Sequence, residues 1–560
     1  MFNLKISKKN KIKKESDVPE QPKKKLEPNW ILLLIILVGL ILRLTGIQHG
    51  FPFIFHPDEP TIIRSALGIR FDPNPKHFDW PHLYIYINYF LYMLFAKFRS
   101  LLEAANLKNT LSSVFPLIWN DDLIFYYLTR CLSAILGALT AIPLYLTSKN
   151  LFGKKAGILT ALAITIMPYH VWHSHYSLGD IPAAFLVSWA LYYSSLIIKS
   201  SDKKNYILAG LFIGLSASIK YNGGLTALMV PVAHFLRIFW TNKNEDKIKN
   251  FQRIFLGSAD IKKLIFSGLF AFLGFLIGTP FALLDFKTFS RTDGPQGAFW
   301  QFTNVGSVSS SQHFDKFLSE SFGRLLVDTG YVVMPLFFIG LFYVLFRLIR
   351  KKTDEKDIYL SFIYIVSLFL IWYLAGFKNN RSHYYFIVYP FLAVIVGYFA
   401  SWLSEEGWKE DFKLEFKGLI KTVVSAIPVL LFLPPFMMSV NNAKRYYMND
   451  TRTWLYRWLS ENRESGEAAV FNDSTLRAVF KYLGMQSTKS LDNFKMYKKT
   501  LVVIYEPGDR EKAFLEKYSS DLEKVAEFDG KGRLGSDIEV YRYSSPVGDN
   551  INNSGCGCGQ

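Results

Sequence analysis

The chain reads as a polytopic α-helical membrane protein of about eleven spans with a small α/β domain at its C-terminal end. Three observations lead there. Hydrophobic residues make up 50% of the 560, and aromatics 16%. Membrane-length apolar runs recur from residue 30 to about residue 440. Such runs cross bilayers as helices, because a helix satisfies its own backbone polar groups in lipid. From residue 441 the composition turns soluble, with short β-type runs between polar helical ones.

The first run, 30–47, holds Arg43 as its only charge. Further spanning candidates are 123–147, 156–171, 181–198, 206–220, 223–240, 264–284, 328–349, 358–376, 384–402 and 418–439. The stretch 83–98 is ambiguous, and loop charge decides it. If it does not cross, the Lys149/Lys154/Lys155, Lys199/Lys203/Lys204, 243–263, 350–356 and 409–417 loops share the N-terminal side. Roughly twenty basic residues then lie on that side against about seven on the other, as the positive-inside rule requires. The stretch is therefore laid along the outer interface, where Tyr84, Tyr86, Tyr89 and Tyr92 suit a headgroup environment. The expected range is roughly ten to thirteen spans in a plasma membrane.

This reading divides the chain into a basic cytoplasmic tail (1–29), a membrane domain (30–440), an extracytoplasmic α/β domain (441–545) and a disordered tail (546–560). Outer loops are expected at 50–122 and 285–327. In the α/β domain, 468–471, 501–505 and 538–543 read as strands, and 451–462 and 510–518 as helices.

Several function classes fall away. The net charge of +18 resides in lysines of short loops between apolar runs, which fits membrane topology rather than nucleic acid. The three cysteines, Cys131, Cys556 and Cys558, are no disulfide framework. The basic start has no small-residue cleavage site and reads as a retained signal anchor. No Gly-rich nucleotide loop of useful specificity occurs. The sequons at Asn449, Asn472 and Asn552 carry no weight without a compartment.

Polar groups converge in four outer-face places. The first is His56-Pro57-Asp58-Glu59-Pro60, whose prolines forbid a continuing helix. The second runs from Tyr169 through His170, His173 and His175 to Asp180. The third is Lys220-Tyr221-Asn222, and the fourth runs from Lys378 through Arg381, His383 and Tyr384. A carboxylate can deprotonate an acceptor hydroxyl, while Arg, Lys and His stabilise a departing phosphate. Each group also has a bland reading. Asp58 and Glu59 serve equally as solvated loop charges, Asp180 as a helix cap, Lys220 as a snorkelling cation, and Arg381 and His383 as headgroup contacts. His56, His173 and His175 are weak metal candidates. The sequence requires no cofactor, and a divalent metal is compatible with it.

The ordered motifs resemble the GT-C superfamily of lipid-linked sugar glycosyltransferases, and most closely glycosyltransferase family 39, the protein O-mannosyltransferase and aminoarabinose transferase-like group. Phe55-His56-Pro57-Asp58-Glu59-Pro60 is similar to that family's acidic pair in the first outer loop. Asp72-Pro73-Asn74-Pro75 and Trp80-Pro81-His82-Leu83-Tyr84 resemble its interfacial helix, and Arg130-Cys131-Leu132-Ser133 its Arg-led second span. His175-Tyr176-Ser177-Leu178-Gly179-Asp180 resembles its second acidic motif. Gly214 to Tyr221, Arg381 to Pro390 and Asp450-Thr451-Arg452-Thr453 are similar to later segments. The histidine-rich run before Asp180 departs from the family, where a Ser-Arg type pair is more familiar.

The resemblance implies an inverting transferase that moves a monosaccharide from a polyprenyl-phosphate donor to a hydroxyl of a protein, glycolipid or cell-wall glycan. Asp58 would be the base, Glu59 its support, and Asp180 an orienting group. Arg130, Lys220, Arg381, His383 and Tyr384 would hold the lipid phosphate. Two rivals remain: a flippase for a lipid-linked sugar, and a ligase or polymerase using a pyrophosphate-linked oligosaccharide. Against the flippase, the acidic residues sit at span ends rather than mid-bilayer, and no two-fold repeat is evident.

Overall fold

The computed structural model describes residues 29–241, 258–350, 353–404 and 418–544. The basic tail, most of the 243–263 loop, the 409–417 loop, the 546–560 segment and Cys556 and Cys558 lie outside the described residues.

Every run read as a span overlaps a helix. We number the principal helices α1 Trp30–Leu44, α2 Glu59–Gly68, α3 Leu83–Ala104, α4 Ile124–Leu139, α5 Ala141–Phe152, α6 Lys154–Thr165, α7 Pro168–His173, α8 Asp180–Lys199, α9 Lys203–Ala217, α10 Met229–Thr241, α11 Ser258–Gly278, α12 Val333–Ile349, α13 Glu355–Ala375, α14 Tyr389–Ser404, α15 Gly418–Tyr447 and α16 Thr451–Asn462. Among the described residues, 5 helical stretches are long and apolar enough to cross a bilayer: 124–152, 180–199, 221–241, 261–278 and 355–375. α1, α12 and α14 are shorter apolar helices. The chain is an integral membrane protein.

α14 lies at the centre. It is buried on every side from Tyr389 to Ser401, which is why its sequence is apolar all round rather than striped. Its Gly397 lies against the Thr160 backbone of α6, where a side chain has no room. α9 and α11 approach as closely. A Cβ at Gly210 or Gly214 would run into the carbonyls of Ser267 and Ala271. Small residues at such a crossing let helix backbones touch in lipid, where dispersion replaces the hydrophobic drive.

α3 corrects one expectation. Tyr84 and Tyr92 do not face headgroups but are buried, 1% and 4% exposed. Tyr84 packs with Ile62 of α2, Ala183 of α8 and Ile219, and Tyr92 lies 4.7 Å from the Phe125 ring of α4. Aromatic rings supply so much apolar area that protein packing claims them before the interface does. α3 is thereby a packed strut within the 50–122 segment.

The C-terminal domain is a five-stranded sheet of order β2-β1-β3-β5-β4, with β1 Ala468–Phe471, β2 Ser487–Thr488, β3 Lys499–Tyr505, β4 Glu523–Phe528 and β5 Ile538–Ser544. β2, β1 and β3 run parallel, while β5 is antiparallel to β3 and β4. The sequence missed β2, two residues long, and β4, whose Glu-Lys-Val-Ala-Glu-Phe is too charged to read as a strand. The helix read at 451–462 is α16, capped by Asp450 accepting from the Arg452 N–H at 2.9 Å. The core joins Leu455, Leu459, Phe471, Phe480, Val503 and Val540, and Phe53 of the first outer loop is buried among them.

Candidate active site

Asp58 and Glu59 straddle the start of α2, which Pro60 opens within its first turn. That one-residue step sends their side chains to different places. Glu59 is fully buried and takes the Arg130 guanidinium of α4 bidentately, Nε and Nη2 each at 2.8 Å. It also accepts the Ser177 N–H at 2.9 Å. Burial pushes the Glu59 carboxyl up, but the adjoining Arg130 charge and hydrogen bonds outweigh it and hold it below the ordinary range. Arg130 spends its remaining bonds on the carbonyls of Ile47 and His49, at 3.1 and 2.9 Å. Four of its five donors are thus committed within the fold. Arg130 thus has no place in the expected phosphate-holding set: its geometry is that of a buried clasp joining α4 to the start of α2 and to the turn after α1.

Asp58 is half-buried. Among the described residues, no hydrogen bond or ion pair engages its carboxylate; its backbone N–H donates to His56 Nδ1 at 3.2 Å. Its charge is felt by His56 and by Tyr384. Burial lowers the His56 pKa, against the opposing pull of Glu59, so the ring is neutral at neutral pH. The ring lies 4.8 Å from that of Tyr176, which reaches His173 at 5.9 Å.

The other three loops close around Asp180. It opens α8 and is 2% exposed. One oxygen pairs with Lys220 Nζ, and the other meets His173 Nε2 at 3.2 Å. Asp180 is the first helical residue, after the cap position Gly179, and its two oxygens go to Lys220 and His173, so the plain capping reading does not describe it. Lys220 also lies 5.7 Å from the Tyr384 ring centroid, and the neighbouring Asn222 amide donates to the Tyr384 carbonyl at 3.0 Å. His383 stacks 6.2 Å from His173. Burial, with the Lys220 charge beside it, lowers the His383 pKa to about 3, so it is a neutral group here rather than a cation. Arg381 is exposed at the rim. Asp58, Asp180, Lys220, Arg381, His383 and Tyr384 are therefore one cluster.

The histidines have separate duties. His170 Nδ1 meets Arg43 Nη2 at 2.9 Å, and Arg43 also donates to the carbonyls of Gly39 and Thr165 and to Ser174 Oγ. The lone charge of the first span is thus a buried latch under the second loop. Both ring nitrogens of His175 face carbonyls, of Val171 and Thr45, each at 3.0 Å. Its ring stacks on Tyr446 at 3.8 Å. His175 thus presents no nitrogen to the cluster. His56 is already bonded to the Asp58 N–H, and Asp180 to Lys220 and His173. Among the described residues, no group of three or more His, Cys, Asp or Glu side chains is gathered as a metal site. No chemical step is assigned to a metal.

Sequence reasoning missed Tyr176 as a bridge, Asn222 as a tie between loops, and Tyr446 as the partner of His175. The first two lay inside motifs already singled out; Tyr446 ends a long helix with no local signal.

Residues 128–260 match the family described as dolichyl-phosphate-mannose-protein mannosyltransferase. The matched stretch holds His173, Asp180 and Lys220, and stops short of Asp58 and Arg381. The dolichyl-phosphate-mannose–protein mannosyltransferase 1 of Saccharomyces cerevisiae is 30% identical over 164 residues, which cover 28% of this chain and 18% of the yeast protein. The chain thus spans less than a fifth of that relative's length. Among solved structures, the oligosaccharyltransferase AglB of Archaeoglobus fulgidus, with an inhibitory peptide and a dolichol-phosphate, aligns at TM-score 0.46 and 13% identity over 84% of this chain and 69% of that one. ArnT of Cupriavidus metallidurans, bound to undecaprenyl phosphate, aligns at TM-score 0.45 and 11% identity over 92% and 98%. The motif resemblance to the protein O-mannosyltransferase group is thus met independently by the family match.

Proposed function

We propose that the chain is a membrane glycosyltransferase that moves a monosaccharide from a polyprenyl-phosphate donor to an acceptor hydroxyl on the extracytoplasmic face. The observation that carries this reading is the half-buried Asp58 carboxylate, unengaged among the described residues, in a loop whose His56 ring meets the Asp180 cluster through Tyr176 and His173. The family match to dolichyl-phosphate-mannose-dependent transferases supports the donor class.

In this reading the acceptor oxygen attacks the anomeric carbon from the face opposite the phosphate, and configuration inverts. Asp58 takes the hydroxyl proton as the new C–O bond forms. The bond to the phosphate oxygen breaks, and its electron pair leaves with the lipid phosphate. Lys220 has three N–H donors, of which Asp180 uses one, so it can bridge carboxylate and phosphate. Arg381 adds a planar fork at the rim, and Tyr384 and His383 add neutral donors. Asp180, fixed by Lys220 and His173, orients the sugar or acceptor. A phosphate is already a weak base, so no general acid is needed.

The test is transfer in nanodiscs from radiolabelled polyprenyl-phosphate sugars to a membrane and cell-wall extract, wild type beside Asp58→Asn. General-base loss predicts a fall of about 100- to 10,000-fold with donor binding kept. Equal product from both proteins would remove Asp58 from the chemistry. Donor binding without product in the wild type would favour the flippase or a pyrophosphate-linked donor.

A further inference from the structure

We infer that Arg452 of the C-terminal domain is a positioning residue for Asp58, acting through Phe55; the inference rests on the transferase reading above. The Arg452 guanidinium lies 3.6 Å from the Phe55 ring centroid, three residues before Asp58. It is locked in that plane by Asp450, which takes Nε at 2.8 Å and Nη2 at 2.7 Å. A guanidinium held bidentately and laid on an aromatic face fixes the ring in two directions at once.

The rest of the segment is held from the same domain. Phe53 sits in its core, 5.3 Å from the Tyr456 ring and 5.5 Å from that of Tyr482. The Gly50 N–H donates to Asn449 Oδ1 at 2.8 Å, and Thr453 Oγ1 donates to the Gly50 carbonyl at 3.3 Å. Between Phe53 and His56 the chain has no regular structure, so it owes its path to these contacts. On the membrane side the next fixed point is Glu59, held by Arg130. Asp58 thus lies between two clamps, one in the C-terminal domain and one in the bundle. Among the described residues the carboxylate itself makes no bond that would place it, so its position depends on both. Arg452 touches no reacting atom.

The experiment uses the full chain in nanodiscs. A background with Cys131, Cys556 and Cys558 replaced by serine carries Asp58→Cys, and its rate of labelling by a charged thiosulfonate is measured alone, with Arg452→Ala, with Phe55→Leu, and with both. Each single change should speed labelling at least fivefold, the pair should add little to either, and Phe55→Trp should hold the parent rate. In the Asp58-intact enzyme, Arg452→Ala should lower kcat about 10- to 100-fold, the cost of a small misplacement, at unchanged KM for the donor. Labelling within twofold of the parent for both single changes would overturn the inference. So would a donor KM that rises in step with the loss of kcat. If Arg452→Ala fails to fold, Phe55→Leu decides alone. A wild type that transfers no sugar would sink the functional reading, while the labelling rates would still decide this one.

Discussion

Breaking the Glu59–Arg130 clasp from one side leaves a charge buried without its partner. Glu59→Ala or Arg130→Met should therefore destabilise the protein by about 3–5 kcal/mol. Replacing both with apolar residues should cost less than either alone, which chaotrope unfolding in detergent would measure. A clasp that proves worth under 1 kcal/mol would show that the pair is hydrated. The carboxyl is held below its ordinary value of 4.5, so this stability is present at neutral pH and is lost only as pH falls through the lowered value. His383 gives a window nearer neutrality. Its folded pKa lies near 3 against 6.5 unfolded, so the unfolded chain binds the proton first as pH falls. Its contribution is complete above 6.5 and drains away toward 3. His383→Gln should flatten the acid side of the stability profile between pH 6.5 and 4; an unchanged profile would mean that the ring is not buried as described.

At the scale of elements, the α9–α11 crossing depends on absent side chains. Gly214→Ile would force its Cβ toward the Ala271 carbonyl and should cost about 1–3 kcal/mol by overpacking. Lys220 lies only three residues past the end of α9, so donor binding by the surviving folded protein reports whether the disturbance reaches the site. A loss of donor affinity matching the loss of stability would mean that the crossing sets the site. Elements were also where the sequence was most legible. Apolar length alone located the helices, because a lipid-facing helix must be apolar over its whole span. β4 was hidden, since an edge strand with one wetted face tolerates Glu523, Lys524 and Glu527, and its pairing with β5 supplies what its own pattern lacks. The burial of Tyr84 and Tyr92 was hidden for a related reason: an aromatic's sequence does not say whether lipid headgroup or protein will cover it.

At the scale of the molecule, the expected arrangement puts the four loops and the C-terminal domain on one side and the lysine-rich turns on the other. With Cys131, Cys556 and Cys558 replaced by serine, cysteines introduced by Asp293→Cys and Lys517→Cys should react with an impermeant thiol reagent applied outside intact cells, and Lys154→Cys should not. All three positions are exposed, so accessibility to solvent does not bias the comparison. Labelling of Lys154→Cys from outside would invert the topology and remove the extracytoplasmic acceptor.

The sequence by itself determined the helical membrane architecture and the presence of a small C-terminal α/β domain, and it singled out the four polar loops. These follow from composition and local pattern, which lipid and backbone hydrogen bonding translate directly into structure. It also named Asp58 and Glu59 as a pair, but not that they part ways. Only the tertiary structure decided that, because which of two adjacent side chains meets Arg130 depends on where α4 packs against α2. The same holds for Lys220, drawn onto Asp180, for His175, turned away onto Tyr446, and for Phe55, covered by Arg452 from almost four hundred residues along the chain. Contacts of that separation leave no periodic trace; they exist only once the packed helices have brought the loops to one place.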